Sequence, residues 1–222
     1  MILVPVKDLT EAKQRLAPML EQSARTQLAH AMLQDVVEVL AEFGGDEVSL
    51  VTNDLFAAEL AKSCGFGIIH DDSNQSETDA IAMATRVCED RGVQSTLVIP
   101  ADIPLIAAPE LEAIYEKAPQ IGSVLAPAQD RRGTNAILRR PAGLFPLRFG
   151  NDSFVPHLAA AKATGESCVV LSLAGIALDI DTPEDLQALA VAPGAKRSQI
   201  LARRLLKTTA GFAKDDVVTV KS

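Results

Sequence analysis

The chain has 222 residues, 48% of them apolar and 23% charged, and a net charge of −8. That length buries a large core without disulfide or metal staples, and the balance of apolar and charged residues excludes a disordered chain. The acidic excess argues against nonspecific binding of nucleic acid, and no apolar run approaches the roughly 20 residues of a membrane span. Ile2 to Val6 is an apolar run that reads as a strand. It leads not into a glycine-rich loop but into Lys7, Lys13 and Arg15. Ligands of open α/β sheets gather at the carboxyl ends of strands, where Arg and Lys neutralise phosphate oxygens. The loop is therefore either a polyphosphate site or a solvated basic turn.

Ser23 to Phe43 carries Leu28, Met32, Val36, Leu40 and Phe43 at helical spacing, and Gly44 stops it. Glu47–Thr52 is a strand, Asp54–Cys64 a helix, Gly67–His70 a strand and Thr78–Arg91 a helix ended by Gly92. Thr96–Pro100 is almost wholly apolar, as a strand covered on both faces requires. A helix over Pro109–Lys117 and strands over Ser123–Ala128 and Asn135–Arg139 follow. Ser153 is placed to cap a helix running to Thr164, and Val169–Leu173 and Ala177–Ile180 read as strands. Thr182 and Pro183 open the next helix. Alternating βα units predict a single α/β domain over residues 1–190, a doubly wound, mostly parallel Rossmann-like sheet with an antiparallel insertion near 123–173.

Pro193-Gly194 separates a basic extension, 191–222. From Lys196 onward it holds seven Lys/Arg and two Asp, which leaves the rest of the chain at −13. A helix over Gln199–Lys207 fits a solvated or oligomer-contacting face, compatible with a homodimer. Cys64, Cys88 and Cys168 show no metal or disulfide spacing and read as small buried hydrophobes in a reducing compartment. With no charged leader ahead of a long apolar segment, a cytoplasmic location is expected, without membrane or nucleic-acid partners.

Three elements carry chemistry. Asp102 follows the buried strand inside Pro100-Ala101-Asp102-Ile103-Pro104, a rigid segment suited to magnesium. Asp179 and Asp181, two apart on a predicted strand, would share a face and approach one cation. Asp181 could equally open the Thr182 helix. Gly133-Thr134-Asn135 and Gly150-Asn151-Asp152-Ser153 form the third element, either an anion site at a helix start or ordinary capping. His30, His70 and His157 are expected to be structural, His157 with the best claim to an exception.

In this order, Lys7…Lys13-x-Arg15-Leu16, Pro100-Ala101-Asp102-Ile103-Pro104-Leu105, Gly133-Thr134-Asn135-Ala136, Arg148-Phe149-Gly150-x-x-Ser153-Phe154-x-x-His157 and Asp179-Ile180-Asp181-Thr182-Pro183-Glu184-Asp185-Leu186 resemble the phospholactate guanylyltransferases of coenzyme F-420 biosynthesis, over about residues 1 to 190. The resemblance implies a nucleotidyltransferase fold and transfer of GMP from GTP to a small phosphorylated acid. It implies magnesium on Asp102, Asp179 and Asp181, and the acid on Thr134, Gly150 and Ser153, with Asn135, Asn151 and Asp152 beside it. Lys13 and Arg15 would face the leaving pyrophosphate and Lys7 the α-phosphate. The chain carries Gln75-Ser76-Glu77-Thr78-Asp79-Ala80 where many members have Gly-Leu-Asn-Ala near the nucleotide. The family's common Gly-Pro-Gly-Ser is Gly150-Asn151-Asp152-Ser153 here, which adds hydrogen-bonding groups. A site that bonds a substrate hydroxyl favours 3-phospho-D-glycerate over 2-phospho-L-lactate and phosphoenolpyruvate.

Other readings stay open. A molybdopterin or sugar-phosphate nucleotidyltransferase predicts a glycine-rich first loop, which is missing. A metal-dependent glycosyltransferase also uses an Asp-x-Asp element. A noncatalytic nucleotide-binding regulator would use the basic tail as its interaction surface.

Overall fold

The computed structural model describes residues 1–71, 76–150 and 152–215. Its strands are β1 (Ile2–Val6), β2 (Val48–Thr52), β3 (Gly67–Ile69), β4 (Thr96–Val98), β5 (Gly122–Pro127), β6 (Thr134–Arg140) and β7 (Ser167–Val170). Its helices are α1 (Gln22–Phe43), α2 (Leu55–Ser63), α3 (Glu77–Asp90), α4 (Ala108–Lys117), α5 (Phe154–Ala163), α6 (Ala174–Ala177), α7 (Pro183–Val191) and α8 (Arg197–Asp215).

β1 is buried along its whole length, so its alternating side chains supply two cores. Ile2, Val4 and Val6 pack with Leu33, Val36, Val37 and Leu40 of α1 on one face. Leu3 faces Ile81 and Ala84 of α3 together with Val98 and Ile137 on the other. α1 ends where Gly44 adopts φ 57° and returns its N–H to Leu40.

The sheet order is β3-β2-β1-β4-β6-β5-β7. β1 pairs in parallel with both β2 and β4, whereas β6 runs antiparallel to β4 and β5. The expected insertion is thus a single reversed strand, since β5 and β7 pair in parallel. Reversal sets the beginning of β6 beside the carboxyl end of β4. Thr134 and Asn135 therefore share an edge with the loop that carries Asp102.

Two expectations fail in the last third. β7 ends at Val170, and the residues read as a strand over Ala177–Ile180 contain instead the end of the short helix α6. The carbonyls at the end of α6 are engaged from β6 and from the loop before it. The Asn135 amide donates to the carbonyls of Ile176 and Ala177, and Gln129 N–H donates to that of Ala177.

The basic extension is docked rather than solvated over its described beginning. Ser198, Gln199 and Ala202 are wholly buried, and Ala202 joins Leu16, Leu28, Met32, Ile180, Leu186 and Leu189 in a third core. Of the cysteines, Cys88 is buried while Cys64 and Cys168 are half-buried, and all three are free. Among the described residues, no helix is long and apolar enough to cross a membrane.

Candidate active site

The loop after β1 forms two short 3-10 turns, Leu9–Glu11 and Gln14–Leu16. Between them Lys13 takes a left-handed backbone, φ 57°, unusual for a side chain of its size. Leu16, wholly buried, anchors the second turn. The Lys13 Nζ lies 2.6 Å from Asp102 and 2.9 Å from Asp181. Burial of its side chain, 8% exposed, opposes the charge, but the two carboxylates outweigh it and hold the ammonium well above its ordinary value. Arg15 Nη1 lies 3.3 Å from the other oxygen of Asp181. Burial of Asp181 favours its neutral form, yet the charge and hydrogen bond of Lys13, helped by Arg15, keep it below the usual carboxylate range.

Asp179 sits apart from that pair. Its Oδ1 accepts from Asn135 Nδ2 at 2.9 Å, and burial outweighs this bond and raises its pKa. The shared strand face expected for Asp179 and Asp181 does not exist. What brings Asp181 to Asp102 is the Lys13 ammonium and a backbone bond from Ile180 N–H to the Asp102 carbonyl. Asp181 does not cap α7, because Thr182 and Asp185 form that capping box themselves.

These groups line one cavity of about 490 Å³. Arg15, Asp102, Asp179 and Asp181 line it together with Thr134, Asn135, Gly150, Asp152 and Ser153. Asn151 lies outside the described residues, as does Gln75. Ser153 is not the cap it resembles in sequence. It makes no side-chain capping bond to α5, and its Oγ accepts instead from Thr134 N–H at 3.1 Å. Gly150 turns the loop with φ 118°.

Lys7 is the expected site residue that lies elsewhere. It pairs with Asp71 at 3.2 Å in a second cavity of about 520 Å³, which Thr10, Asn53 and Asp54 also line. His30 stacks on Phe56 there at 3.8 Å, in keeping with the structural role expected for it, whereas His70 is exposed.

The sequence reading missed Glu77 and Arg132 as site residues. Arg132 pairs with both oxygens of Asp152, at 2.5 and 3.3 Å, across the cavity mouth. Glu77 opens α3 and lines the same cavity. Burial first, then the charge of Asp102, raises its pKa to about 7 against the pull of Lys13 and Lys7. A carboxyl whose pKa is raised on folding costs no stability below its unfolded value, 4.5, and progressively more up to about 7. Glu77→Gln is therefore expected to raise the melting temperature at pH 8 and leave it unchanged at pH 4. Equal shifts at both pH values would remove the electrostatic explanation.

Among the described residues no group of three or more His, Cys, Asp or Glu is gathered tightly enough to hold a metal by itself. The Asp102–Asp181 pair does converge on a cation, the Lys13 ammonium. Hard oxygen donors of this kind fit magnesium where substrate phosphates and water complete the shell, as that ion commonly requires. The pair fits such a shared site, with Asp179 lining the same cavity.

The fold is similar to that of nucleotide-handling transferases. A Desulfovibrio desulfuricans G20 protein described as a nucleotide-diphospho-sugar transferase matches with a TM-score of 0.77 at 19% identity, over 95% of this chain and 96% of that one. CMP:2-keto-3-deoxy-manno-octonic acid synthetase, in complex with CTP, matches with a TM-score of 0.56 at 14% identity, over 97% of this chain and 98% of that one. Relatives in sequence are nearer. Phosphoenolpyruvate guanylyltransferase of Roseiflexus castenholzii is 35% identical over 92% of this chain and 94% of its own length. The 3-phospho-D-glycerate guanylyltransferase of Colwellia psychrerythraea is 34% identical over 86% and 90%. The 2-phospho-L-lactate guanylyltransferase of Methanothermobacter thermautotrophicus is 34% identical over 83% and 81%. The model of the CofC-like guanylyl transferases matches residues 1–214, beyond the 190 residues of the motif pattern, and the chain belongs to that family.

Proposed function

We propose that the chain transfers GMP from GTP to a small phosphorylated acid and releases pyrophosphate, with 3-phospho-D-glycerate preferred over 2-phospho-L-lactate and phosphoenolpyruvate. The setting is coenzyme F-420 biosynthesis in the cytoplasm. The observation that carries the reading is that one cavity joins a carboxylate pair neutralised by Lys13 and Arg15 to the hydroxyl-lined pocket of Thr134 and Ser153. Family membership favours nucleotidyl transfer over the glycosyl-transfer and noncatalytic readings.

In this mechanism the acceptor is a phosphate monoester, already anionic at neutral pH, so attack on the α-phosphate needs no general base. Catalysis rests on positioning and charge. Thr134, Ser153 and Gly150 hold the acceptor phosphate. Lys13 and Arg15 offset the charge that develops on the leaving pyrophosphate. Asp102 and Asp181, with Asp179 lining the same cavity, would hold magnesium, which would supply positive charge against the mutual repulsion of the two anionic substrates.

The acid preference rests on the pair at the mouth. Arg132 takes one lone pair from each Asp152 oxygen and offsets the charge that would repel an acid. Each oxygen keeps a second lone pair, free to accept from a substrate hydroxyl. Of the three acids only 3-phosphoglycerate has one. The test offers all three at equal concentration with GTP and magnesium, reading pyrophosphate and the guanylylated product. 3-Phosphoglycerate should be consumed first, and Asp152→Gly should erase its lead. Earlier consumption of either other acid, or an unchanged preference in Asp152→Gly, removes the hydroxyl reading. Absence of pyrophosphate with every acid removes the proposed activity.

A further inference from the structure

His157 is a buried titratable group that the mechanism above leaves unused. It is 1% exposed, and its ring sits edge-on to Phe149 with centroids 5.2 Å apart. Its two nitrogens have different partners. Nε2 lies 2.8 Å from the backbone nitrogen of Arg148. A backbone N–H can only donate, so Nε2 accepts and carries no proton. Burial, and after it the charge of Arg139, lowers the ring's pKa to about 4 and keeps it neutral near pH 7. The single ring proton is therefore on Nδ1, which lies 2.9 Å from Thr134 Oγ1. The hydroxyl oxygen of Thr134 accepts from it.

A second bond works in the same sense. Thr134 N–H donates to Ser153 Oγ. Both hydroxyl oxygens are thus engaged as acceptors by the protein. Among the described residues neither hydroxyl proton meets an acceptor, and both residues line the cavity.

We propose that His157 is a positioning residue that fixes the Thr134 hydroxyl as a donor into the cavity, so that the pocket selects ligands presenting anionic oxygens. The proposal rests on the reading of this pocket as the acceptor site. The chain runs from Arg148 N–H through the imidazole to Thr134 Oγ1, with every donor and acceptor assigned by what its partner is able to do. A ring turned to its other tautomer would leave Nδ1 bare. Thr134 would then spend its proton on the histidine and offer the substrate a lone pair, which repels phosphate.

Three measurements test it. Nitrogen-15 NMR of the whole protein at neutral pH should show His157 protonated on Nδ1 alone; protonation on Nε2 overturns the proposal regardless of the reaction. In steady-state kinetics with the phosphoacid that the wild type consumes, His157→Leu should raise the acceptor KM about tenfold and leave the GTP KM unchanged. The same change in a Thr134→Val background should add less than about twofold, because the hydroxyl through which it acts is gone. Additive losses, or equal rises in both KM values, mean that His157 merely holds the 148–150 loop in place and overturn the proposal. If His157→Leu fails to fold, His157→Gln, which supplies both an acceptor and a donor, should fold and keep the acceptor KM near the wild-type value. A tenfold rise in that folded variant also overturns the proposal. Titration of inorganic phosphate without GTP separates the two readings. Phosphate affinity that falls in His157→Leu only when Thr134 is present, in an enzyme that guanylylates no acid, removes the proposed function and leaves the positioning role standing. Phosphate affinity indifferent to His157 removes the positioning role.

Discussion

Asp102→Asn is expected to lower turnover at saturating GTP and acceptor by about a hundredfold or more while the fold survives. Asp102 lies in the turn that follows β4, with its side chain 29% exposed and one oxygen on the Lys13 ammonium. Asparagine keeps the shape and leaves intact the backbone carbonyl that accepts from Ile180 N–H. Lys13 retains Asp181 at 2.9 Å, so the loop still has an anchor. What disappears is one negative charge at the point where the nucleotide's charge must be balanced. Pyrophosphate release measures the rate, and thermal melting measures the fold. A rate near that of the wild type in a folded Asp102→Asn protein would end the assignment. Asp181→Asn belongs in the same experiment. The Thr182–Asp185 capping box holds α7 without it, but the buried Lys13 ammonium loses a partner, so the change should act chiefly on turnover and lower the melting temperature modestly.

The strands that build the platform were legible because their pattern is local. Ile2–Val6 is apolar without interruption and is buried without interruption. Gly44 stops a 22-residue helix whose apolar spacing is periodic throughout. The doubly wound order follows from such segments alternating. Misreadings cluster where a polar side chain far away in sequence takes over a local role. Leu178 and Ile180 do alternate with Asp179 and Asp181, but the Asn135 amide and Gln129 N–H claim the carbonyls beside them. Ser153 stands where a cap should, yet its hydroxyl answers to Thr134, nineteen residues earlier. Lys7 and Lys13 were indistinguishable as cations after a strand. Only the fold shows that the first meets Asp71 and the second meets Asp102 and Asp181. Glu77 falls in the segment that stands in place of the family's nucleotide motif, but its meaning, like that of Arg132, lies in charges brought together across the chain.

The largest stability effect is expected at a residue outside the cavity. Asp35→Ala should destabilise the protein by about 2 to 3 kcal/mol, the combined loss of a helix cap and of partners for buried donors. Asp35 lies in the middle of α1 with its side chain fully buried. It accepts from the backbone N–H groups of Arg197 and Ser198 at 3.1 and 2.9 Å and from the Ser198 hydroxyl at 2.5 Å. The first turn of α8 is thus capped from a different helix, and a carboxylate at a helix start also meets the favourable end of the dipole. Alanine leaves those donors buried without partners, since water has little access beneath a helix that also buries Ala202. Lys196, one residue earlier, donates to the carbonyls of Pro104 and Ile106, so the docked helix also braces the loop after Asp102. The urea midpoint should therefore fall, and amide exchange should quicken in α8 before it does in β1. Turnover per folded molecule should change far less than in Asp102→Asn, because no cavity residue is touched. A midpoint shift worth less than about 0.5 kcal/mol, the range of ordinary surface changes, would mean that α8 is held by its apolar face alone.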